Sequence, residues 1–412
     1  MKKLNNLSRR GVIVSTLATL SVVATSFLSP ALAQDVKKIK IGMVAPLSGP
    51  WARPGKLMRA GAEMAIAKIN AEGGIESMGG AKLVLVAADA GDSADKAATA
   101  VRGLLASHPD LVAGSGAWLS SFTLAITEVT EREKLPWLTF SFSDKITGRG
   151  FKYVFQTSPK ASTFANQAAP VAVALAKKSG AAPTSVGAIF DNTPNPSGFV
   201  KQLREKVFPE LGLEMSIDEV FTPPLSDATP LIQRLRRAKP DFLYMLATNV
   251  SDYKLLLEKA SEFGVKVPML GHGGTLLDPG VLNAVGPELL DGMITTVAAW
   301  PNASHAEIAA KFVAESGEPF MTQDSIVPWA EMHILKEALE RAGSADREAV
   351  AEQLRTMVLT EEEAANVWPG GVDFDETGMR KGANVMLVQW QNGSPVLVYP
   401  AELAAAEAIW PK

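Results

Sequence analysis

Short apolar runs alternate with segments of helical spacing along most of the chain. The first apolar run, Lys38 to Val44 (KIKIGMV), is followed by a Pro/Ser/Gly-rich turn and by apolar residues at helical spacing over residues 60–69. Further runs predict strands at 82–87, 111–114 and 136–140, with helices from about Ala94 and Ser120. Strands that alternate with helices of about 10 to 15 residues are typical of parallel sheets covered by helices.

A second series of strands begins after residue 180. The predicted strands lie at 185–190, 214–221, 241–246, 268–271 and 292–298, and after a helical series at 329–342 two late strands follow at 384–390 and 395–399. One sheet does not comfortably hold so many strands in a chain of 412 residues. The sequence therefore predicts an α/β fold of two doubly wound parallel-sheet lobes.

The first 33 residues have the pattern of a secretory signal peptide. Four positive residues precede an apolar stretch at 12–28, and Ala31-Leu32-Ala33 then offers a small-x-small cleavage pattern. We expect cleavage after about Ala33 and export to the periplasm. The alternative is a membrane anchor, but Ser and Thr interrupt the stretch and Pro30 breaks it. Arg9-Arg10 also suggests twin-arginine export, so the export route stays open.

Composition narrows the range of partners. The chain has no Cys, which excludes a disulfide framework, a thiolate zinc site and a lipid-modified cysteine at the cleavage point. Loss of the four positive residues of the signal changes the formal net charge from −4 to −8, which disfavours nucleic acid and anionic lipid as partners. No later stretch approaches ~18 consecutive apolar residues, so we expect that the mature chain is not membrane-embedded. We also expect the protein to be a monomer.

Motifs for catalysis and for cofactors are missing from the sequence. It contains no G-x-x-x-x-G-K-[ST] phosphate loop, no G-x-G-x-x-G, no H-E-x-x-H and no G-x-S-x-G nucleophile elbow. The four His residues lie far apart, so a metal site would have to be assembled wholly by the tertiary structure. We therefore expect no cofactor, no metal and no enzymatic activity.

Polar residues follow two of the predicted strands. Residues 114–125 (GSGAWLSSFTLA) place Ser120 and Ser121 where a strand gives way to a helix, a position at which unpaired N–H groups and the helix dipole favour a carboxylate. A helix cap is an equally good interpretation of Ser120. A second strand end carries Ser141, Phe142 and Ser143, at the edge where open α/β sheets hold ligands.

Four tryptophans stand near the ends of predicted elements: Trp51, Trp118, Trp300 and Trp329. Single tryptophans are usually core or rim residues, but four at element ends suggest an aromatic cleft. Arg53, beside Trp51, could hold a second carboxylate, although a solvated loop arginine is the simpler interpretation.

The chain resembles the type I periplasmic solute-binding proteins of ABC transporters, specifically the leucine/isoleucine/valine-binding group. The resemblance rests on IKIGMVAPLSGPWARPGKLMRAGAEMAIAKINAEGG, LVAADAGDSADKAATAVRGLL, GAWLSSFTLAITEVTEREKLPWLTFS and ALERAGS. It implies two lobes joined by three hinge crossovers, expected near 157–159, 297–301 and 368–371. Lobe 1 would comprise 34–158 and 298–369, and lobe 2 would comprise 159–297 and 370–412.

The resemblance also implies how a ligand is held between the lobes. Ser120-Ser121 and the segment from Ser141 to Ser143 match positions that grip an amino acid's carboxylate and ammonium groups. Aromatic positions of the family fall on Pro54 and about Pro196, and the acidic partner of the ammonium falls on Gly273. The remaining expected ligand-binding residues are Asp191, which could replace that carboxylate, and Asn249, His272 and Trp329.

These features predict an exported, non-catalytic receptor that captures a small carboxylate-bearing solute and delivers it to ABC permease subunits. A branched-chain or other apolar amino acid is the expected ligand from the resemblance. An aromatic or other organic acid or amide is the alternative, because an α-ammonium group buried without its carboxylate partner is costly. A ligand sensor of the same fold and a hydrolase are more distant alternatives.

Overall fold

The computed structural model describes residues 37–411. The expected signal peptide and its cleavage point lie outside these residues. Within them, each helix is either too short or too polar to cross a lipid bilayer.

Five parallel strands form the first sheet, in the order β2-β1-β3-β4-β5. They are β1 (Lys38–Ala45), β2 (Lys82–Asp89), β3 (Leu111–Gly116), β4 (Trp137–Thr139) and β5 (Val154–Gln156). The four strands predicted for this part of the chain are confirmed. The sequence did not reveal β5, because its three residues are too few to show a period.

Seven strands form the second sheet, in the order β14-β13-β10-β9-β8-β6-β7. They are β6 (Ser185–Asp191), β7 (Glu214–Phe221), β8 (Phe242–Leu246), β9 (Met269–His272), β10 (Ile294–Val297), β13 (Met386–Gln391) and β14 (Ser394–Tyr399). Only the pairs β10–β13 and β13–β14 are antiparallel. A separate antiparallel pair joins β11 (Val358–Leu359) to β12 (Val372–Asp373). All seven strands predicted for the second sheet are confirmed.

Twelve α-helices lie within residues 37–411. They are α1 (Ala52–Ala71), α2 (Ala94–Ser107), α3 (Ser120–Arg132), α4 (Ala161–Lys178), α5 (Pro194–Gln202), α6 (Phe208–Leu211), α7 (Thr229–Ala238), α8 (Val250–Glu262), α9 (Pro279–Val285), α10 (Ala306–Ser316), α11 (Gln323–Ala342) and α12 (Arg347–Thr356). Helices α1, α2, α3, α11 and α12 contact the first sheet, and α5, α6 and α7 contact the second. The predicted α/β architecture of two lobes is confirmed.

Helix α11 begins earlier than its sequence pattern indicated. It starts at Gln323 rather than near Trp329, and Pro328 lies inside it. The segment QDSIVP begins with polar residues and ends with Pro, and both features normally mark a helix boundary. Here Gln323 and Asp324 are buried, so contacts within the folded protein override the local signal.

Candidate ligand-binding site

A cavity lies where the carboxyl ends of the strands of both sheets meet. The space between atoms there is about 470 Å³, part of which is open to solvent. The first lobe contributes Trp118, Leu119, Ser120, Phe140, Ser141, Phe142 and Gln323 to its lining, and the second contributes Thr193, Asn195, Pro196, Ala247, Thr248, His272, Gly273, Gly274 and Thr275. Most of these residues directly follow β3, β4, β6, β8 or β9, the position where open α/β sheets bind ligands.

The first-lobe wall is built around the start of α3. Leu119 occupies the N-cap position and supplies no side-chain hydrogen bond, so Ser120 is not the cap of this helix. The first N–H groups of α3 are therefore left without a side-chain acceptor, beside a serine that lines the cavity. The hydroxyl oxygen of Ser120 accepts a hydrogen bond from the Ser143 backbone N–H at 3.2 Å. This arrangement suits a carboxylate group.

Ser141 shapes the wall rather than offering a free donor. Its hydroxyl lies 2.6 Å from the carbonyl oxygen of Ala117 and 3.0 Å from that of Trp118, so it ties β4 to the loop before α3. The ring of Phe142 packs against the rings of Phe164 at 4.7 Å and His272 at 5.4 Å. Phe142 thus joins the two walls of the cavity by an aromatic contact.

A buried carboxylate organises the loops of the second-lobe wall. One oxygen of Asp191 accepts from the backbone N–H of Thr193 at 2.9 Å and from its hydroxyl, and the other accepts from the N–H of Thr248 at 2.7 Å. Burial raises the pKa of Asp191, against the effect of these hydrogen bonds. Asp191 was predicted as a partner for a ligand's ammonium group, and this is corrected: both oxygens already bind the protein backbone.

His272 lies at the centre of the second-lobe wall. Its Nδ1 is 2.8 Å from Thr296 Oγ1, its Nε2 is 2.8 Å from Asn195 Oδ1, and its ring stacks on Phe199 at 4.2 Å. Burial lowers the pKa of His272 to about 3, so the ring is neutral at physiological pH. The adjoining Gly273 has a φ of +86°, a conformation that favours glycine over the acidic residue the family resemblance implied.

The start of α11 closes the remaining side of the site. Gln323 lines the cavity, and its Oε1 accepts from the Ala298 backbone N–H at 3.0 Å. Asp324 lies behind the wall and accepts a hydrogen bond from Nε1 of Trp118 at 3.1 Å. Burial raises the pKa of Asp324 to about 7. Asp324 therefore fixes the indole of Trp118 in the wall.

The structure brings together some of the predicted residues and separates others. Trp118, Ser120, Ser141, Phe142, His272 and Gly273 line the cavity. Ser121, Ser143, Asp191 and Asn249 lie next to lining residues without lining it. The side chain of Asn249 caps α8 by accepting from the N–H of Asp252.

Three of the four tryptophans expected in an aromatic cleft lie elsewhere, and among them Trp51 and Trp329 were also predicted to bind the ligand; only Trp118 lines the cavity. Trp51 packs edge-on against Phe122 at 5.9 Å. Trp329 is buried on α11 against His333, with ring centroids 4.2 Å apart. Trp300 packs on Phe320, with ring centroids 6.3 Å apart. Each of these three tryptophans packs against another ring, as single tryptophans usually do, so a position at an element end did not place it in the cavity wall.

Arg53 is also corrected as a ligand-binding residue. Its Nε donates to Asp278 at 3.0 Å and its Nη1 donates to Glu318 at 2.7 Å. The guanidinium therefore pairs with carboxylates of the protein itself, on the second lobe and beside α11.

Several residues of the site were missed by sequence reasoning. These are Thr193, Asn195, Thr248, Thr275 and Gln323. The first four follow the carboxyl ends of β6, β8 and β9, and that position alone could have marked them. Gln323 gave no such signal, because the start of its helix was misplaced.

Comparisons with known proteins agree with this architecture. A family model described as a periplasmic binding protein matches residues 38–395. A Leu/Ile/Val-binding protein homolog 7 of Brucella melitensis is 28% identical over 410 residues, covering 96% of this chain and 99% of that protein.

Two solved structures share the fold. One is the branched-chain amino acid transporter substrate-binding protein LivJ of Streptococcus pneumoniae in complex with isoleucine, with a TM-score of 0.76 and 20% identity over 91% of this chain and 100% of that one. The other is a solute-binding protein of Rhodopseudomonas palustris in complex with 3,4-dihydroxybenzoic acid, with a TM-score of 0.73 and 20% identity over 91% and 98%. The match of the family model to most of the chain shows that the protein belongs to the periplasmic binding protein family.

Proposed function

We propose that the protein is the exported, non-catalytic substrate-binding component of an ABC importer, and that its ligand is a small carboxylate without an α-ammonium group. The family and the cavity at the strand ends support the receptor role. The proposed site of action is the periplasm, where the loaded receptor would meet the permease subunits.

The choice of ligand rests on the absence of charged side chains from the cavity wall. None of the sixteen lining residues within residues 37–411 has a charged side chain at neutral pH, since His272 is neutral. A buried ammonium group without a carboxylate partner costs several kcal/mol. The R. palustris relative binds an aromatic acid that carries no ammonium group, and the S. pneumoniae relative binds an amino acid. The neutral wall of this cavity favours the first kind of ligand.

The carboxylate itself would bind at the start of α3. Unpaired N–H groups there and the Ser120 hydroxyl are suitable donors, and hydrogen bonds to a charged group contribute ~1.5–3 kcal/mol each. The helix dipole adds ~0.3–1 kcal/mol. Two or three such donors with the aromatic contacts of Trp118 and Phe142 are enough for micromolar binding, about 8 kcal/mol.

The proposal includes closure of the lobes about three crossovers near 157–159, 297–301 and 368–371. In support, the chain leaves the first sheet after β5, leaves the second after β10, and passes the small β11–β12 sheet before it returns to β13. This retains the lobe boundaries expected from the sequence: 34–158 with 298–369, and 159–297 with 370–412.

A ligand panel tests the proposal. The mature protein is titrated with benzoate, cyclohexanecarboxylate, benzamide, leucine, isoleucine and valine, by calorimetry and thermal shift. We expect the carboxylates without an ammonium group to bind and to raise the Tm, and the amide and amino acids to bind at least tenfold more weakly. Ser120→Ala should weaken carboxylate binding about 10- to 100-fold, whereas Ser121→Ala, on the same helical turn but outside the wall, should leave it unchanged.

An amino acid is the second candidate, and one observation favours it. The Asp324 carboxylate lies directly behind the wall at Gly274, where a small rearrangement would bring it to an ammonium group. Tighter binding of leucine than of benzoate, lost in Asp324→Asn, would replace our proposal with this one.

A further inference from the structure

Two polar groups of the second-lobe wall have no partner among residues 37–411. The Oγ1 of Thr248 is buried beside the Asp191 carboxylate and meets no partner among these residues at hydrogen-bonding geometry. The side chain of Asn195 accepts from His272 through Oδ1, and its Nδ2 makes no hydrogen bond within the described residues. Both residues line the cavity. Thr248 is buried, whereas Asn195 is half-buried at the cavity. Buried polar groups are normally paired, so the Thr248 hydroxyl, next to the free Nδ2 of Asn195, indicates a ligand group that completes both.

The amide oxygen of Asn195, rather than its NH₂ group, faces the ring of His272, and this placement determines which ring nitrogen carries the proton. Neutral His272 carries a single ring proton, and the amide oxygen of Asn195 can only accept, so the proton sits on Nε2. Nδ1 then accepts from the Thr296 hydroxyl. With its amide oxygen bonded to His272, Asn195 has its NH₂ group left to donate beside Gly273, at the cavity.

The two groups lie on neighbouring loops. Strands β6 and β8 are parallel and adjacent, so the loops that follow them start side by side. The two oxygens of Asp191 bind the backbone of Thr193 in one loop and of Thr248 in the other. Asn195 is two residues beyond Thr193. One buried carboxylate therefore ties together the two loops that carry the NH₂ donor and the hydroxyl, and both residues line the same cavity as the start of α3.

We infer that the ligand carries a hydroxyl group at the end opposite its carboxylate, and that Asn195 and Thr248 determine this specificity; the inference rests on the proposed function. A hydroxyl group accepts from Asn195 Nδ2–H and donates to Thr248 Oγ1, so it completes both groups at once. An apolar ligand end of the same size would bury both groups unpaired. We expect the preference for the hydroxyl to be about 10- to 100-fold.

Matched ligands test the inference on the wild-type protein. Dissociation constants are measured by calorimetry for benzoate, for the 3- and 4-hydroxybenzoates, and for the methylbenzoates substituted at the same positions. We expect at least one hydroxybenzoate to bind tenfold or more tightly than its methyl counterpart. If benzoate binds but no hydroxyl isomer exceeds its methyl counterpart, the inference is overturned and the proposed function stands. If no benzoate binds while leucine does, the proposed function itself fails.

Variants test whether Asn195 and Thr248 cause the preference for a hydroxyl over a methyl group on the ligand. Thr248→Val, which keeps the shape of the side chain, and Asn195→Ala should each reduce the hydroxyl-to-methyl ratio at least fivefold while benzoate still binds. Thr296→Val removes the hydrogen bond behind His272 without touching the cavity, and should reduce the ratio through the orientation of the Asn195 amide. Asn192→Ala, an exposed residue of the same loop, is the control and should leave the ratio unchanged. Unchanged ratios in both Thr248→Val and Asn195→Ala would contradict the assignment.

Discussion

Replacement of Arg53 by Met should weaken ligand binding without any contact with the ligand. Arg53 lies on α1, which covers the first sheet, and its Nε donates at 3.0 Å to Asp278, which precedes α9 in the second lobe. The side chain of Arg53 is 34% exposed and that of Asp278 is 2% exposed. The pair therefore joins the two lobes beside the cavity, and opening of the lobes would break it.

The expected magnitude follows from this burial. A hydrogen bond between charged groups contributes ~1.5–3 kcal/mol, and the partial exposure of Arg53 reduces this to about 1–2 kcal/mol. Under the proposed closure of the lobes, opening would separate Arg53 from Asp278, so the variant loses the whole contribution of the pair from the closed state alone. The dissociation constant should rise about 5- to 30-fold.

The assay is calorimetry of Arg53→Met with the tightest-binding carboxylate of the panel. Arg59→Met is the matched control, because Arg59 is on the same helix and makes only an exposed pair with Glu63. A double-mutant cycle with Asp278→Asn isolates the contribution of the pair. An unchanged dissociation constant in a folded Arg53→Met protein, or an equal loss in Arg59→Met, would refute the reasoning.

Three further predictions concern stability and site geometry. Burial raises the pKa of Glu331 to about 7, so the folded protein keeps this proton between about pH 4.5 and 7 while the unfolded chain releases it, and stability falls as pH rises. In denaturant titrations at pH 5 and pH 8, the free energy of unfolding of Glu331→Gln should fall about 2–3 kcal/mol less than that of the wild type over this interval. Equal decreases in the two proteins would contradict the assignment. Gly114→Ala should lower the Tm because the added Cβ would overlap the ring of Trp137. Gly103→Ala on α2 is the control: its added Cβ meets no other atom, so this variant should not lower the Tm. The reverse order of the two Tm values would refute the packing argument. Asp191→Asn should raise the dissociation constant about tenfold, because an amide cannot accept from both loops with both of its atoms, and calorimetry showing no change would exclude the clamping role.

The sequence predicted the strands well because the strand signal is local. Eleven strands show as apolar runs between turns, and all eleven are present in the structure. The errors have two causes. Strand β5 is too short to show a period, and at Gln323 long-range contacts override the local preference, because the polar residues that begin this helix are buried.

For the site, the sequence by itself determined which strand ends carry polar and aromatic residues. Ser120, Ser141 and Phe142 could be selected because ligand sites of open α/β sheets lie at the carboxyl ends of strands. The family resemblance indicated His272 and Gly273, and all five residues line the cavity. Neither the direction of a side chain nor its partner follows from such a position.

Only the tertiary structure decided which groups are free to meet a ligand. Arg53 and Asp191 both have charges suited to a ligand, but Arg53 binds a carboxylate 225 residues away, and Asp191 binds backbone 57 residues away. Conversely, Asn195 and Thr248 could be marked by their positions after strands, but only the structure shows that each has a polar group without a partner among residues 37–411. Hydrogen bonds over such separations depend on how the strands and lobes come together, whereas the periodicity that predicts strands and helices depends only on near neighbours in the chain.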